Sequence, residues 1–347
     1  MTITQAFDFF IQWHLTERCN LQCKHCYQDG SRREEMSLSE IKEVIGEVSD
    51  MLKEWEEQYE IKISSSFNIT GGEPFIRSDI FEVIGEIKSR GFDVYLLSNG
   101  ILIDKKKAKI LSELSVKGVQ VSIEGPEKIH EIIRGNGSFS SAIKGVQHLL
   151  DAGVKVTLNL TLSDINADYF MEMVELSSLI GVQRLGFSRL VPSGRGAGLL
   201  NKMLKKEKIE KLYKTILSLN VDGLEIVTGD PILSQMSSIN NKDRGSIPLG
   251  GCAAGVSGVT ILQDGTITPC RRLHVPIGNI KRDSLRELWA TSEILLRLRD
   301  RKYYKGKCGR CHRWASCRGC RAIAYAYSCS RGKDDFLSED PQCFIEV

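Results

Sequence analysis

Three cysteines, Cys19, Cys23 and Cys26, stand close together in the run Cys19-Asn-Leu-Gln-Cys23-Lys-His-Cys26-Tyr27. The C-x3-C-x2-C spacing brings three thiolates to one loop. Three thiolates hold three irons of a four-iron, four-sulfur cluster and leave the fourth iron open to a non-protein ligand. Ligand number and surroundings then set the redox behaviour of such a cluster. A structural zinc site closes four ligands around the metal, and His25 lies inside the loop, poorly placed to be the fourth. No cysteine follows until Cys252, after which come Cys270, Cys308, Cys311, Cys317, Cys320, Cys329 and Cys343. The N-terminus shows no secretion signal. Eleven clustered cysteines in a chain of 347 residues therefore read as metal or cluster ligands and not as a disulfide framework.

Other residue types with chemical use fall at the ends of short apolar runs. In Thr70-Gly71-Gly72-Glu73-Pro74 the glycines permit close approach to the backbone, and the carboxylate suits a cation. Leu97-Ser98-Asn99-Gly100 and Ser122-Ile123-Glu124-Gly125 end two further runs. Arg134 offers a fork for a carboxylate, and Asn159 is either a polar contact or a hydrogen-bonded strand residue. Arg189-Leu-Val191-Pro-Ser-Gly194-Arg195-Gly196 ends a sixth run, where Arg195 is equally readable as an exposed charge. The histidines offer little: His14 falls in a strand, His130 and His148 on helices, and His274 and His312 beside cysteines that make them unnecessary as ligands.

The elements that must position these residues alternate. Strands are predicted at Phe9–Leu15, Ser66–Thr70, Asp93–Leu97, Gly118–Ile123, Lys155–Leu160 and Arg184–Leu190, each short and rich in β-branched or large apolar residues. Helices are predicted at Leu38–Tyr59, Asp79–Arg90, Lys105–Leu114, Ser140–Ala152 and Ala167–Ile180. Ser37-Leu-Ser-Glu40 reads as a capping box, and Gly91, Gly153 and Gly181 follow three helix ends. Such alternation argues for a parallel sheet with covering helices. The basic run Lys202 to Lys211 reads as the solvated face of a helix. Past residue 220 the character changes: Val256–Leu262 and Thr266–Thr268 flank an Asp-Gly turn as a β-hairpin, Asp283–Arg299 is a helix, and 305–347 is cysteine-rich and loop-like. The boundary falls near 225–250, giving domains 1–225 and 226–347.

The cysteine triad, the Gly-Gly-Glu-Pro element and Tyr27 together resemble the radical SAM superfamily. The resemblance implies an α/β fold with a partial, TIM-like (β/α)6 barrel whose chemistry sits at the C-terminal strand ends. It implies an open iron that binds S-adenosylmethionine, whose reductive cleavage yields a 5′-deoxyadenosyl radical that takes hydrogen from a substrate. It also implies cofactor contacts at Tyr27, Gly71, Gly72, Glu73, Pro74, Ser98, Asn99, Ser122, Arg134 and Val191; Glu124 stands where many relatives carry Asp. The later cysteines resemble a SPASM domain, the auxiliary-cluster module of some family members, with Gly265 between Cys252 and Cys270. Carried over by position, Cys308, Cys311, Cys317 and Cys343 hold an outer auxiliary cluster, and Cys252, Cys270 and Cys320 an inner one. The family usually spaces its last two motif cysteines by three residues; here only Arg318 and Gly319 separate Cys317 from Cys320. Cys329 is a candidate fourth inner ligand, the alternatives being an open site or another ligand atom. Two zinc sites are the other reading of the C-x2-C pairs. The resemblance thus implies three four-iron clusters, one for radical chemistry and two auxiliary.

Composition excludes some partners. A formal charge of +3 is too small to mark a nucleic-acid surface, and no apolar run reaches the ~20 residues of a membrane span. The expectation is a cytoplasmic enzyme served by a reductant such as flavodoxin or ferredoxin. Its substrate is expected to be a side chain in a ribosomally made peptide or protein, with a tetrapyrrole side chain as the alternative, and an iron–sulfur carrier or scaffold as the non-enzymatic one. The segments 320–327 and 189–195 look similar to haem-biosynthetic relatives. Few residues precede the first strand, so leader binding is expected from the barrel surface or a separate recognition protein.

Overall fold

Alternating strands and amphipathic helices build one open, ten-stranded sheet. The computed structural model describes residues 6–28, 30, 34–236 and 250–346. Its first half runs β1 (Ala6–His14), α1 (Leu38–Tyr59), β2 (Lys62–Thr70), α2 (Ile80–Ser89), β3 (Asp93–Ser98), α3 (Lys105–Glu113), β4 (Gly118–Ser122), α4 (Glu127–Arg134) and α5 (Ser138–Asp151). It continues with β5 (Val156–Leu162), α6 (Phe170–Ile180), β6 (Arg184–Arg189), α7 (Lys206–Ser218) and β7 (Glu225–Val227). The rest comprises β8 (Gly258–Ile261), β9 (Thr266–Thr268), β10 (Gly278–Asn279), α8 (Leu285–Thr291), α9 (Glu293–Arg299), α10 (Gly306–Arg310) and α11 (Arg321–Cys329). Strands β1 to β7 pair in parallel and in sequence order. The order is linear, β10-β9-β8-β1-β2-β3-β4-β5-β6-β7, so the TIM-like barrel does not close.

Two strand faces divide the labour. Along β5, Val156, Leu158, Leu160 and Leu162 are buried in the main core, while Thr157, Asn159 and Thr161 are only half-buried. The period of two sends the apolar set to the core and the polar set to the other face. In β4, Val119 and Val121 join the same core, and Gln120 and Ser122 face a cavity. A complete barrel fills its interior with branched side chains; this one keeps a polar hollow. On the helix side, α1 is opened by the predicted capping box, Glu40 N–H donating to Ser37 and Ser37 N–H to Glu40. Gly91, Gly153 and Gly181 take positive φ past three helix ends, as their positions predict.

Several sequence expectations change. The strand β7 has no forecast, being only three residues long. The hairpin β8–β9 forms with Gly265 at φ +86° in its turn, but it is not confined to the second half. β8 lies parallel to β1, with Phe10 opposite Gly258 and Trp13 opposite Ile261. A Cβ at Gly258 would stand 2.2 Å from the Phe10 carbonyl oxygen, so only glycine permits this contact. The helix predicted over 283–299 breaks into α8 and α9 because Ser292 is extended, at ψ +118°. The segment 305–347 is less loop-like than predicted, carrying α10 and α11. The basic run at 202–211 is not one helix face: Lys202 ends a 3-10 stretch, and α7 starts at Lys206. Of the predicted boundary zone 225–250, residues 237–249 lie outside the described residues.

Arg189, at the end of β6, ties the strands to the C-terminal segment. Its guanidinium is fully buried and donates to Asp230 at 2.6 and 3.0 Å, to Asp340 at 3.0 and 2.8 Å and to Gln342 at 2.8 Å. Burial disfavours its charge, but the two carboxylates outweigh that and hold its pKa well above the usual value. Removing one partner of such a group leaves buried charge uncompensated, which costs about 3–5 kcal/mol. Arg189→Met is therefore expected to destabilise the protein by that amount in anaerobic urea unfolding. An unchanged midpoint would refute the assignment of Arg189 as the tie.

Candidate active site and auxiliary cysteine sites

The loop carrying Cys19, Cys23 and Cys26 has no regular structure, so neighbouring elements must satisfy its backbone. The Gly71–Gly72 pair after β2 holds one flank: Gly72 N–H donates to the Thr16 carbonyl at 2.8 Å, and Glu73 N–H to that of Arg18 at 2.9 Å. A Cβ at Gly71 would meet Thr16 O at 2.1 Å, and one at Gly72 would meet Arg18 O at 2.2 Å. What approaches these glycines so closely is the chain's own cysteine loop. Gly194 and Gly196, after β6, hold the other flank. Gly196 N–H donates to Cys26 O at 2.9 Å, and a Cβ at Gly194 would stand 2.4 Å from Gln28 O. Lys24 N–H reaches Ile133 O at 2.9 Å, which fastens the middle of the loop to α4.

Cys19, Cys23 and Cys26 line one cavity at the C-terminal ends of the strands, together with Tyr27, Gly71, Gly72, Ser98, Asn99, Ser122, Arg134, Asn159 and Val191. Eight of the ten expected cofactor contacts thus line the cavity wall, Glu73 and Pro74 being the exceptions. Donors point at the sulfurs: Leu21 N lies 3.4 Å and Asn99 Nδ2 3.9 Å from Cys19 Sγ, and Arg134 Nη1 lies 3.6 Å from Cys23 Sγ. Three thiolates with hydrogen-bond donors around them suit an anionic four-iron cluster, so these residues fit that group. The buried Gln28 Nε2 has no hydrogen-bond partner, and Gln28 is part of the cavity wall.

Glu73 and Pro74 lie behind that wall. Glu73 is fully buried and accepts hydrogen bonds from Ser98 Oγ at 2.9 Å, Asn99 N at 2.8 Å and Phe75 N at 3.3 Å. Burial raises its pKa to about 7 against these donors. Pro74 begins a short 3-10 turn. Glu124 is buried too. It pairs with His25 at 3.1 Å and with Arg134 Nε at 3.0 Å, and it accepts Thr161 N at 2.7 Å. Burial alone would raise its pKa, but His25 and Arg134 hold it below the usual carboxylate range. Arg134 is thus oriented by Glu124, with one nitrogen left toward Cys23. Arg195 is exposed, as its loop position allows, yet its Nε donates to Cys23 O at 3.2 Å and it also lines the cavity.

Some cavity residues carry no strong signal in sequence. His14 accepts or donates at 3.2 Å with the Tyr27 hydroxyl, and burial, with Arg271 nearby, lowers its pKa to about 3. Arg271 lies over the Tyr27 ring at 5.8 Å, and both Arg271 and Arg272 reach the cavity wall. Their position directly after Cys270 was the available clue.

The later cysteines separate into groups. Cys308, Cys311, Cys317 and Cys343 line one small pocket with Trp314, Gly319 and Asp340. Cys252, Cys270 and Cys320 gather elsewhere, with Val191, Leu273 and Ile323 packed around them. The turn between them explains how neighbours in sequence face different groups: Arg318 and Gly319 both take φ +61°, and Arg318 donates to Ala315 O at 2.8 Å. Cys329 joins neither group, which corrects its candidacy as an inner ligand. It is exposed at the far end of α11 beside Tyr325 and Asp334, ~13 Å along the helix axis from Cys320 at the rise of an α-helix. Among the described residues no three Cys, His or acidic side chains converge on a point as a single metal ion requires.

The profile of the radical SAM superfamily matches residues 13–177, and that of SPASM, an iron–sulfur cluster-binding domain, matches 252–321. The chain is a radical SAM enzyme with a C-terminal SPASM domain. Such an enzyme uses S-adenosylmethionine and a four-iron cluster. The chain is 28% identical over 350 residues to the AdoMet-dependent heme synthase of Nitratidesulfovibrio vulgaris, covering 96% of this chain and 91% of that one. It is also 28% identical to the mycofactocin maturase MftC of Mycolicibacterium smegmatis, over 91% of this chain and 78% of that one. Among solved structures, native anSMEcpe with bound AdoMet and Cp18Cys peptide superposes with a TM-score of 0.73 at 20% identity, over 98% of this chain and 94% of that one. Streptococcus suis SuiB bound to S-adenosylmethionine gives 0.71 at 18% identity, over 98% and 78%. At these identities the two structures share the fold.

Two predictions follow from the geometry of the radical SAM site. Gly72→Ala forces the cysteine loop away and is expected to lose the ~4 irons of the cluster at that loop relative to the unaltered protein, read by anaerobic iron analysis; an unchanged iron content would contradict the clamp. The raised pKa of Glu73 places its proton loss near pH 7. Difference infrared spectra between pH 6 and pH 8 should show a protonated carboxyl carbonyl band disappearing, and Glu73→Gln should lack the change. A band that is unaltered in the variant would belong to another group.

Proposed function

We propose that this radical SAM enzyme takes a hydrogen atom from a side chain of a ribosomally made peptide or protein. The open sheet is the observation that carries this reading. Because β10 and β7 end the sheet and do not meet, a polymer segment can enter the polar hollow from the side. The similarity to MftC, named a mycofactocin maturase, supports it. When bound, the cluster at Cys19, Cys23 and Cys26 supplies the electron that cleaves S-adenosylmethionine. The chain's own residues prepare the place. Asn99, Leu21 and Arg134 stabilise the thiolates with N–H donors. Glu124 fixes the Arg134 fork. Tyr27, Gly71, Gly72, Ser98, Ser122 and Val191 border the cofactor, and Glu73 holds the wall from behind. Two auxiliary clusters, at the outer and inner cysteine groups, are part of this proposal, as are domains 1–225 and 226–347. So are a flavodoxin- or ferredoxin-type reductant and a separate protein for leader recognition.

A second reading is tetrapyrrole side-chain chemistry. Arg195, Arg271 and Arg272 line the same cavity, and guanidinium forks suit the carboxylates of such a ring. The similarity to proteins named heme synthases over 96% of the chain favours it as well.

Replacing Cys19, Cys23 and Cys26 together by Ala is expected to abolish 5′-deoxyadenosine formation while the C-terminal clusters remain. Undiminished cleavage by the reduced variant would end the radical SAM assignment of this loop. For the substrate, the reconstituted enzyme is incubated with peptides encoded beside its gene and, separately, with iron-coproporphyrin and a sirohaem derivative. A mass change in a peptide is the expected result. A mass change confined to a tetrapyrrole would replace the first reading by the second.

A further inference from the structure

We infer that the hollow of the sheet ends in a second binding site, at the N-terminal strand ends, that takes a carboxylate of the substrate. The inference rests on the peptide reading above. At this end a cavity of ≈ 570 Å³ is lined by Tyr95, Lys117, Gln120, Lys155, Thr157 and Arg184. The share of liquid volume held by one water is ~30 Å³, so the space suits a ligand segment. The strand register builds it. Leu97 pairs with Gln120, Gln120 with Thr157, Thr157 with Arg184 and Arg184 with Glu225, which makes one layer across β3 to β7. Leu97 and Gln120 also belong to the wall of the active-site cavity. The two spaces therefore meet at this layer.

Charge decides the ligand class. Lys117 Nζ pairs with Asp93 at 3.3 Å, and Arg184 Nε pairs with Glu225 at 2.6 Å. Lys155, exposed immediately before β5, has no ion-pair partner among the described residues. One unpaired cation beside two balanced pairs suits a single negative charge. A carboxylate supplies it, whereas a phosphate dianion would face Glu225 with too little positive charge around it. The wall also suits a peptide. The side-chain amides of Asn68 and Gln120 line this cavity and form no hydrogen bond among the described residues. An amide offers both donor and acceptor, which the backbone of an extended segment needs on leaving water. Tyr95, 36% exposed, adds an aromatic face.

The strand sets the spacing. Lys155 precedes Asn159 and Thr161 on the same strand, and both line the active-site cavity. Strands and extended peptides rise alike, ~3.3 Å per residue. The carboxylate thus sits about four to six positions, or ~13–20 Å, from the side chain that reacts. It is either an acidic side chain or the C-terminal carboxylate of the peptide.

The test uses reconstituted full-length protein under anaerobic conditions. Acylation of single lysines is followed by mass spectrometry, with the exposed Lys205 and Lys206 as internal controls. The first probe is an acetylated, amidated hexapeptide with tyrosine first, four glycines and glutamate last. The second ends in glutamine. The third ends in glycine with a free C-terminal carboxylate. The first or the third should protect Lys155 and leave the controls unchanged, and which of them does so names the source of the carboxylate. The glutamine peptide should not protect. Lys155→Gln should weaken binding of the protecting peptide roughly tenfold in calorimetry, the size of one charge-assisted hydrogen bond, and Lys155→Arg should restore it. Equal protection by the glutamine peptide, protection by none, or unaltered affinity in Lys155→Gln would overturn the inference. Modification of a peptide encoded beside the gene, with Lys155 acylated at its usual rate, would leave the peptide reading standing and remove only this site. Protection of Lys155 by a carboxylate peptide, in an enzyme that alters only a tetrapyrrole, would support the site and remove the peptide reading.

Discussion

The cysteine loop after β1 cannot support itself. It has no helix or strand of its own and few internal hydrogen bonds, such as Cys26 N–H to Cys23 O at 3.3 Å, so most of its backbone groups need partners elsewhere. The rest of the site is arranged around that constraint. Gly71 and Gly72 bring the end of β2 within backbone contact of Thr16 and Arg18, and Gly194 and Gly196 do the same from the end of β6 at Tyr27 and His25. Side chains would prevent both approaches. The loop is therefore clamped by two strand ends on opposite sides of the hollow, which fixes three thiols on rigid elements as a cluster site needs.

Electrostatics follow from the same placement. Thiols in a buried position resist ionisation, and burial pushes the Cys320 thiol up to about 12. Guanidinium groups lie beside these sulfurs: Arg134 beside Cys23, Arg272 beside Cys270 and Cys320, and Arg321 beside Cys308. These arginines need orienting partners of their own. Glu124 supplies one for Arg134, and its low pKa is the counterpart of that pairing. His130, whose Nδ1 accepts the Glu124 backbone N–H at 3.2 Å, stays neutral because burial lowers its pKa to about 4.

The two auxiliary groups depend on a single reversal of the chain. Cys317 and Cys320 are separated by two residues, yet consecutive positive φ values at Arg318 and Gly319 turn them to different pockets. Asp340 stabilises that turn by accepting Cys320 N–H at 2.8 Å, and Arg189 holds Asp340 from β6. The buried ion pair thus links the end of the sixth strand to both groups of cysteines at once.

The sequence by itself determined the local features of this protein. The cysteine spacing, the six βα units, the capping box at Ser37 and the glycines past the helix ends are all encoded within short windows, where periodicity and conformational preference act directly. The same holds for the separation of three early cysteines from eight late ones. Tertiary structure decided what each residue faces. Gly71 and Gly72 look like a ligand-binding loop in sequence, but their close partner is backbone more than fifty positions away in the chain, at Thr16 and Arg18. Glu73 reads as a cation-binding side chain and is buried behind the wall; Arg195 reads as an exposed charge, and it is exposed, but only the fold brings its Nε to Cys23 O. Cys329 reads as a fourth ligand, and the rise of α11 carries it away from the other three. The joining of β8 to β1 is equally silent in sequence, because a strand's partner is chosen by the edge left free when the whole sheet has formed.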